Sequence, residues 1–285
     1  MSRLVDGYDL VIFDLDGVVY LIDKPIPGAA EAVERLRADG IAVAYATNNA
    51  SRRAAQVADA LRDEVRDAGL TPVETFEDKP AAVVQGYGAD VGWRILAEAA
   101  LSVRAGARWV ATNTDRTLPS PRGPLPGNGS LVSVLRTALD REPDVVVGKP
   151  QPALFTTAAS MSHAERPLTV GDRLDTDIEG AVTAGMDSLL VLTGVSGPAD
   201  LLAAPPERRP TYVAADVSGL FAPPVPLQPA TELGGWRLSG DGALDGEGDP
   251  VDALRLLCPA AWSGTRVSAS SEAARDLLKS WGVTD

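Results

Sequence analysis

Short apolar runs recur along most of the chain, each closing on polar residues and each followed by a helical pattern. Tyr8 to Asp14 reads YDLVIFD, and Ile41–Thr47, Val145–Gly148, Leu168–Gly171 and Ser188–Leu192 are built alike. Runs apolar at successive positions, not alternate ones, belong to strands buried on both faces, as in a parallel sheet. Between them, Ala29, Ala32, Val33 and Leu36 fall at helical spacing before Gly40, and helical patterns cover Ser51–Gly69, Trp93–Arg104, Ser130–Leu139, Pro152–Met161 and Thr176–Ala184. Strands alternating with helices imply a parallel α/β sheet with crossover helices. A chain of 285 residues has room for roughly two such domains.

Charge narrows the function. The net charge of −13 argues against nucleic acid or an anionic membrane as partner, since both require a basic face. No apolar stretch approaches the ~18 residues of a membrane span, and the opening MSRLVDGYDLVIFD lacks the apolar core of a signal peptide, so a cytoplasmic location is expected. The single cysteine, Cys258, excludes an intrachain disulfide, and the single histidine, His163, excludes chemistry that needs two.

In an open α/β sheet, ligands bind beyond the carboxyl ends of the strands. Four strand ends carry groups suited to phosphate: Asp14-Leu15-Asp16-Gly17, Thr47-Asn48-Asn49, Gly148-Lys149-Pro150, and Gly171-Asp172 followed by Asp177. Each motif alone is commonly a turn or a helix cap; the four together, in this order and each after a buried strand, point to phosphoryl transfer. A carboxylate attacks a phosphate monoester when a divalent cation screens the charges and the leaving oxygen is protonated. Asp14 and Asp16, two apart on a turn, can divide metal binding and attack from leaving-group protonation. Asp172 and Asp177 would complete an oxygen shell suited to Mg²⁺. Lys149 and the Thr47 hydroxyl would hold the phosphoryl oxygens.

VIFDLDGVVY, ATNNASR, VVGKPQPALF and VGDRLDTDIEGAVTAGM resemble the four motifs of the haloacid dehalogenase superfamily, in the wording of its class IIA, NagD-like phosphatases. The resemblance extends to ATNTDRTLPSPRGPLPGNGSLV and RRPTYVAADVSGL. It implies a Rossmann-like core with a lid inserted between the second and third motifs, and hydrolysis of a small phosphorylated metabolite such as glycerol 3-phosphate or a sugar phosphate. It also implies residue roles. Asp14 is nucleophile and metal ligand, and Asp16 is the general acid/base with its main-chain carbonyl on the metal. Thr47 and Lys149 lie on the phosphoryl group, Asp172 binds Mg²⁺, and Asp177 stands behind it. Asn48, Asn49, Leu118 and Pro119 are implied on the substrate side. A catalytically weak binding or regulatory member of the same fold is the alternative.

The expected domains are a core of residues 1–50 and 145–225, a lid of 51–144 and a small α+β appendage of 226–285. One departure from the family is expected to shorten the lid: VADALRDEVRDAGL runs through where a Thr-Ser-led helix and an apolar strand belong. A missing strand beside Val83 leaves a sheet edge open to disorder, to cover by Val65–Leu70, or to a second subunit, giving a homodimer through the lid. FAPPVPLQP (Phe221–Pro229) reads as a stiff linker. Beyond it, Trp236, Trp262 and Trp281 are expected to build a small separate core, dispensable for chemistry.

Overall fold

The computed structural model describes residues 2–21, 24–48, 63, 65–118, 120 and 122–283. The chain divides into two compact units, Met1–Ala46 with Pro150–Asp285, and Thr47–Lys149. The first holds a five-stranded sheet in the order Tyr212–Ala214, Asp187–Val191, Pro167–Gly171, Leu10–Phe13, Ala42–Tyr45. Every neighbouring pair is parallel, with Phe13 opposite Val170 on one side and Tyr45 on the other. The Leu10–Phe13 strand is buried at all four positions, as its unbroken apolar run requires. Leu10 and Ile12 pack with Phe155, while Val11 and Phe13 pack with Ala32, Val33, Leu36 and Val217. Burying each such side chain is worth about 1.5–3 kcal/mol, so this strand anchors both layers. The chain order reverses between Leu10–Phe13 and Pro167–Gly171, a topological switch point of the kind at which α/β sheets bind ligands.

The helix expected from Thr176 begins earlier and wider. Leu174–Ile178 is a π-helical turn, with the Ile178 N–H donating to the Arg173 carbonyl at 3.1 Å, before the α-helix Glu179–Thr183. The cause is Asp177, whose Oδ2 accepts the N–H groups of Asp172 and Arg173, each at 3.1 Å, and so draws the turn open.

The second unit has a three-stranded parallel sheet, Ala82–Gln85, Arg108–Ala111 and Val145–Val146, with helices Trp93–Arg104 and Asn128–Leu139. Its core gathers Val103, Trp109, Ala111, Val132 and Leu135. Among the described residues, Ala82–Gln85 pairs on one side only, with Arg108–Ala111. The Pro- and Gly-rich stretch Thr114–Gly129 contains a short hairpin, Thr117–Leu118 with Leu125–Pro126. Most of the expected Ser51–Gly69 helix lies outside the described residues.

The last segment forms a sheet of its own. Glu232–Leu233, Trp236–Leu238 and Ala243–Gly246 are antiparallel, and Ser268–Ala269 joins in parallel after the helix Pro250–Trp262. Its core is not separate. Trp236, Leu244, Leu254, Leu257 and Cys258 share one apolar cluster with Leu174, Ile178, Leu190, Leu201 and Val213 of the main sheet and its helices. The sequence could show three tryptophans in the tail but not what they would pack against. No helix among the described residues is long and apolar enough to cross a membrane.

Candidate active site

Asp14 follows the Leu10–Phe13 strand and Asp172 follows its neighbour Pro167–Gly171, so two carboxylates leave adjacent strand ends at the switch point. Asp177 returns to them from the π-helical turn. One oxygen from each of Asp14, Asp172 and Asp177 lies within 4.8 Å of the others, and all three residues are buried. At that separation two carboxylates repel by roughly 3–4 kcal/mol, even with an effective dielectric of about 20. Three buried anions this close call for a cation among them. A set made only of carboxylate oxygens suits a hard divalent ion over a softer metal.

Glycines make the cluster sterically possible. A Cβ on Gly194 would lie 1.9 Å from Asp172 Oδ2, and one on Gly171 would lie 2.2 Å from Asp177 Cβ. Gly17, at a φ of +83°, would put a Cβ 2.5 Å from the Asp172 carboxyl carbon. The main chain fixes the rest: the Val195 N–H donates to Asp172 Oδ2 at 2.7 Å, and the Ser196 N–H to the Asp172 carbonyl at 3.0 Å. Gly17 and Gly171 stood inside the strand-end motifs, but Gly194 and the Val195–Ser196 turn were missed in the sequence, where their only signal was position just beyond a strand end.

Asp16 sits half-buried in the turn after Asp14 and makes a β-bridge with Tyr20. That turn wraps on one carbonyl, with the N–H groups of Val19 and Tyr20 both donating to Leu15 at 2.9 and 3.0 Å. Arg173 is committed to Asp175 through two bonds of 3.1 and 2.9 Å. Burial pushes the Asp175 carboxyl up, but the Arg173 bonds and charge outweigh it and hold the group below its ordinary range.

Thr47 and Lys149 bound the second unit. Lys149 is buried and Thr47 half-buried. The structure brings Asn48 and Lys149 together. Asn48 Oδ1 accepts the Lys149 N–H at 2.8 Å, and Asn48 Nδ2 donates to the Lys149 carbonyl at 2.9 Å and to Asp115 Oδ2 at 3.0 Å. Leu118 is half-buried in the short hairpin. Asn49 and Pro119 lie outside the described residues.

Comparison with known proteins agrees with this geometry. A family model described as haloacid dehalogenase-like hydrolase matches residues 11–72, and a second, HAD-hydrolase-like, matches residues 146–220. The chain is similar to the D-glycerol 3-phosphate phosphatase of Mycobacterium tuberculosis, at 38% identity over 99% of this chain and 96% of that one. That alignment runs over 345 positions against 285 residues here, so at least 60 positions (345 − 285) have no counterpart in this chain. The acid sugar phosphatase of Staphylococcus epidermidis is 32% identical over 75% of this chain and 97% of its own. Among solved structures, the M. tuberculosis glycerol phosphate phosphatase in complex with magnesium superposes with a TM-score of 0.88 at 38% identity, covering 100% of both chains. The 4-nitrophenylphosphatase of Thermotoga maritima gives a TM-score of 0.67 at 29% identity, covering 77% of this chain and 98% of that one.

Proposed function

Because the chain belongs to the haloacid dehalogenase-like hydrolases, and to the phosphatases among them, we propose that it hydrolyses a small phosphate monoester, glycerol 3-phosphate foremost, with Mg²⁺ and through an aspartyl-phosphate on Asp14. The observation that carries the reading is the buried trio Asp14, Asp172 and Asp177 at the ends of two adjacent central strands. Those three carboxylates would hold the ion, with the Asp16 carbonyl as a further ligand. Bound there, Mg²⁺ neutralises the carboxylates and draws charge from the phosphoryl oxygens.

In this scheme an Asp14 carboxylate oxygen attacks phosphorus as the bond to the ester oxygen breaks. Asp16 gives its proton to that departing oxygen, then takes one from the water that attacks the phosphorus of the aspartyl-phosphate. Inorganic phosphate leaves and the Asp14 carboxylate is restored. The Thr47 hydroxyl and the Lys149 ammonium hold the phosphoryl oxygens, and Leu118 contacts the leaving alcohol. Glycerol 3-phosphate is favoured by the M. tuberculosis relative, whose name specifies that substrate and which matches nearly the whole chain.

The test is a kinetic screen of phosphorylated metabolites with Mg²⁺. The reading expects kcat/KM for glycerol 3-phosphate to exceed that for hexose phosphates by at least tenfold. Equal or better turnover of a hexose phosphate would move the assignment to that substrate.

A further inference from the structure

The chain segments that begin and end the second unit are tied to each other by one side chain. Asn48 Oδ1 takes the Lys149 N–H at 2.8 Å, and Asn48 Nδ2 reaches the Lys149 carbonyl at 2.9 Å, so one amide grips both polar groups of a single residue's main chain. The same Nδ2 donates to Asp115 at 3.0 and 3.3 Å to its two oxygens. Asp115 is itself held. Its N–H donates to Asn113 Oδ1 at 3.2 Å, its carbonyl accepts the Gly129 N–H at 2.8 Å, and Asn113 Nδ2 donates to the Asn48 carbonyl at 3.1 Å. The packing leaves no slack. A Cβ on Gly148 would lie 2.4 Å from the Thr112 carbonyl and 2.6 Å from Asn48 Oδ1, and a Cβ on Gly127 would lie 2.5 Å from the Asp115 carbonyl.

An amide whose donor and acceptor both close on one backbone, backed by a carboxylate, is built to hold that backbone in one place. We propose that Asn48 is a positioning residue: oriented by Asp115, its side chain fixes the Lys149 main chain and thereby the ammonium that Lys149 presents to the phosphoryl group. The proposal rests on the assignment of Lys149 to phosphoryl transfer. Asn48 then acts through Lys149 and not on the substrate's leaving group.

The experiment is a double-mutant cycle on hydrolysis of p-nitrophenyl phosphate with Mg²⁺, followed by single turnover for the slow variants. Displacing a reacting group by about 1 Å lowers rates on the order of 100-fold, so Asn48→Ala is expected to lower kcat about 10–100-fold. In a Lys149→Ala background the same substitution is expected to change kcat less than twofold, because the group it positions is already gone. Asp115→Ala should behave likewise, and it serves if Asn48→Ala does not fold. Asp115→Asn, which keeps an acceptor for Asn48 Nδ2, should stay within about threefold of wild type. Effects that multiply in the Lys149→Ala background, or an Asn48→Ala enzyme at wild-type rate, would overturn the proposal. A wild-type protein that hydrolyses no phosphate ester contradicts the proposed function instead. The clasp is then read from hydrogen exchange at the Lys149 amide, which Asn48→Ala accelerates at least tenfold if the clasp holds and leaves unchanged if it does not.

Discussion

Gly194→Ala is a one-carbon perturbation aimed at the Asp14, Asp172 and Asp177 carboxylates from outside them. The added Cβ would stand 1.9 Å from Asp172 Oδ2, where real contacts begin at 3.0 Å. The carboxylate therefore has to retreat by about 1.1 Å (3.0 − 1.9), or the Gly194 main chain has to move with the Val195 N–H that donates to the same oxygen at 2.7 Å. Either movement takes one carboxylate oxygen out of a cluster whose members lie within 4.8 Å of one another. Ångström-scale misplacement lowers rates on the order of 100-fold, equivalent to about 2.7 kcal/mol of transition-state stabilisation. Gly7→Ala is the control, since a Cβ there meets nothing within 4 Å. The assay is kcat/KM for p-nitrophenyl phosphate over a Mg²⁺ titration, with thermal melts alongside. Gly194→Ala should lose about 100-fold and need at least tenfold more Mg²⁺, while Gly7→Ala follows wild type. A folded Gly194→Ala enzyme within twofold of wild type at every Mg²⁺ concentration would refute the view that the glycine keeps Asp172 in position.

Other consequences follow from packing and charge. Asp172→Ala should abolish Mg²⁺-dependent turnover while the fold survives, read by activity and circular dichroism; full activity after exhaustive chelation would contradict it. Truncation after Ala222 removes no catalytic group but uncovers Leu190, Leu201 and Val213, each a fully buried side chain worth about 1.5–3 kcal/mol; a sharply lowered melting temperature is expected, and an unchanged melt would contradict the shared core. Cys258 is buried, and that burial raises its thiol above the ordinary range, so it should resist alkylation at pH 8 until the tail cluster opens; rapid labelling of the native protein would contradict this. Asp144 is held below the ordinary carboxylate range first by the Trp109 N–H at 2.7 Å and then by Arg141. Its contribution is complete above the unfolded value of about 4 and is lost as pH falls through the lowered folded value. Asp144→Asn should therefore flatten the acid-induced fall in the protection factor of the Trp109 amide, and an unchanged pH profile of protection would count against it.

Two carboxylates of the proposed site were legible in the sequence because each stands at the end of an unbroken apolar run. Leu10–Phe13 and Pro167–Gly171 are buried on both faces, so the polar residue that follows each had to lie at the sheet's edge. That placed Asp14 and Asp172 without reference to any contact. Asp177 was legible as an acidic residue near a helix start, but the π-helical turn that carries it was not, because the turn depends on N–H groups of Asp172 and Arg173 folding back on the Asp177 carboxylate. The partners of Asn48 were equally hidden: Asp115 is 67 residues away and Lys149 is 101. The tail showed its tryptophans in sequence. It did not show that Trp262 Nε1 would donate to the Leu201 carbonyl, or that Arg255 would donate to the Val213 carbonyl, each at 2.9 Å. Local pattern fixes which face of an element is apolar, and only the folded chain fixes what covers it.

The central claim is that the phosphoryl group passes through Asp14. It is tested most directly by acid-quenching single turnovers of the Mg²⁺-loaded enzyme with radiolabelled glycerol 3-phosphate and mapping the labelled peptide. The label should appear transiently, be released by hydroxylamine as an acyl phosphate is, and reside on Asp14, with none in Asp14→Asn. Product formed at the full rate with no transient label on the protein, or label on another residue, would contradict the account.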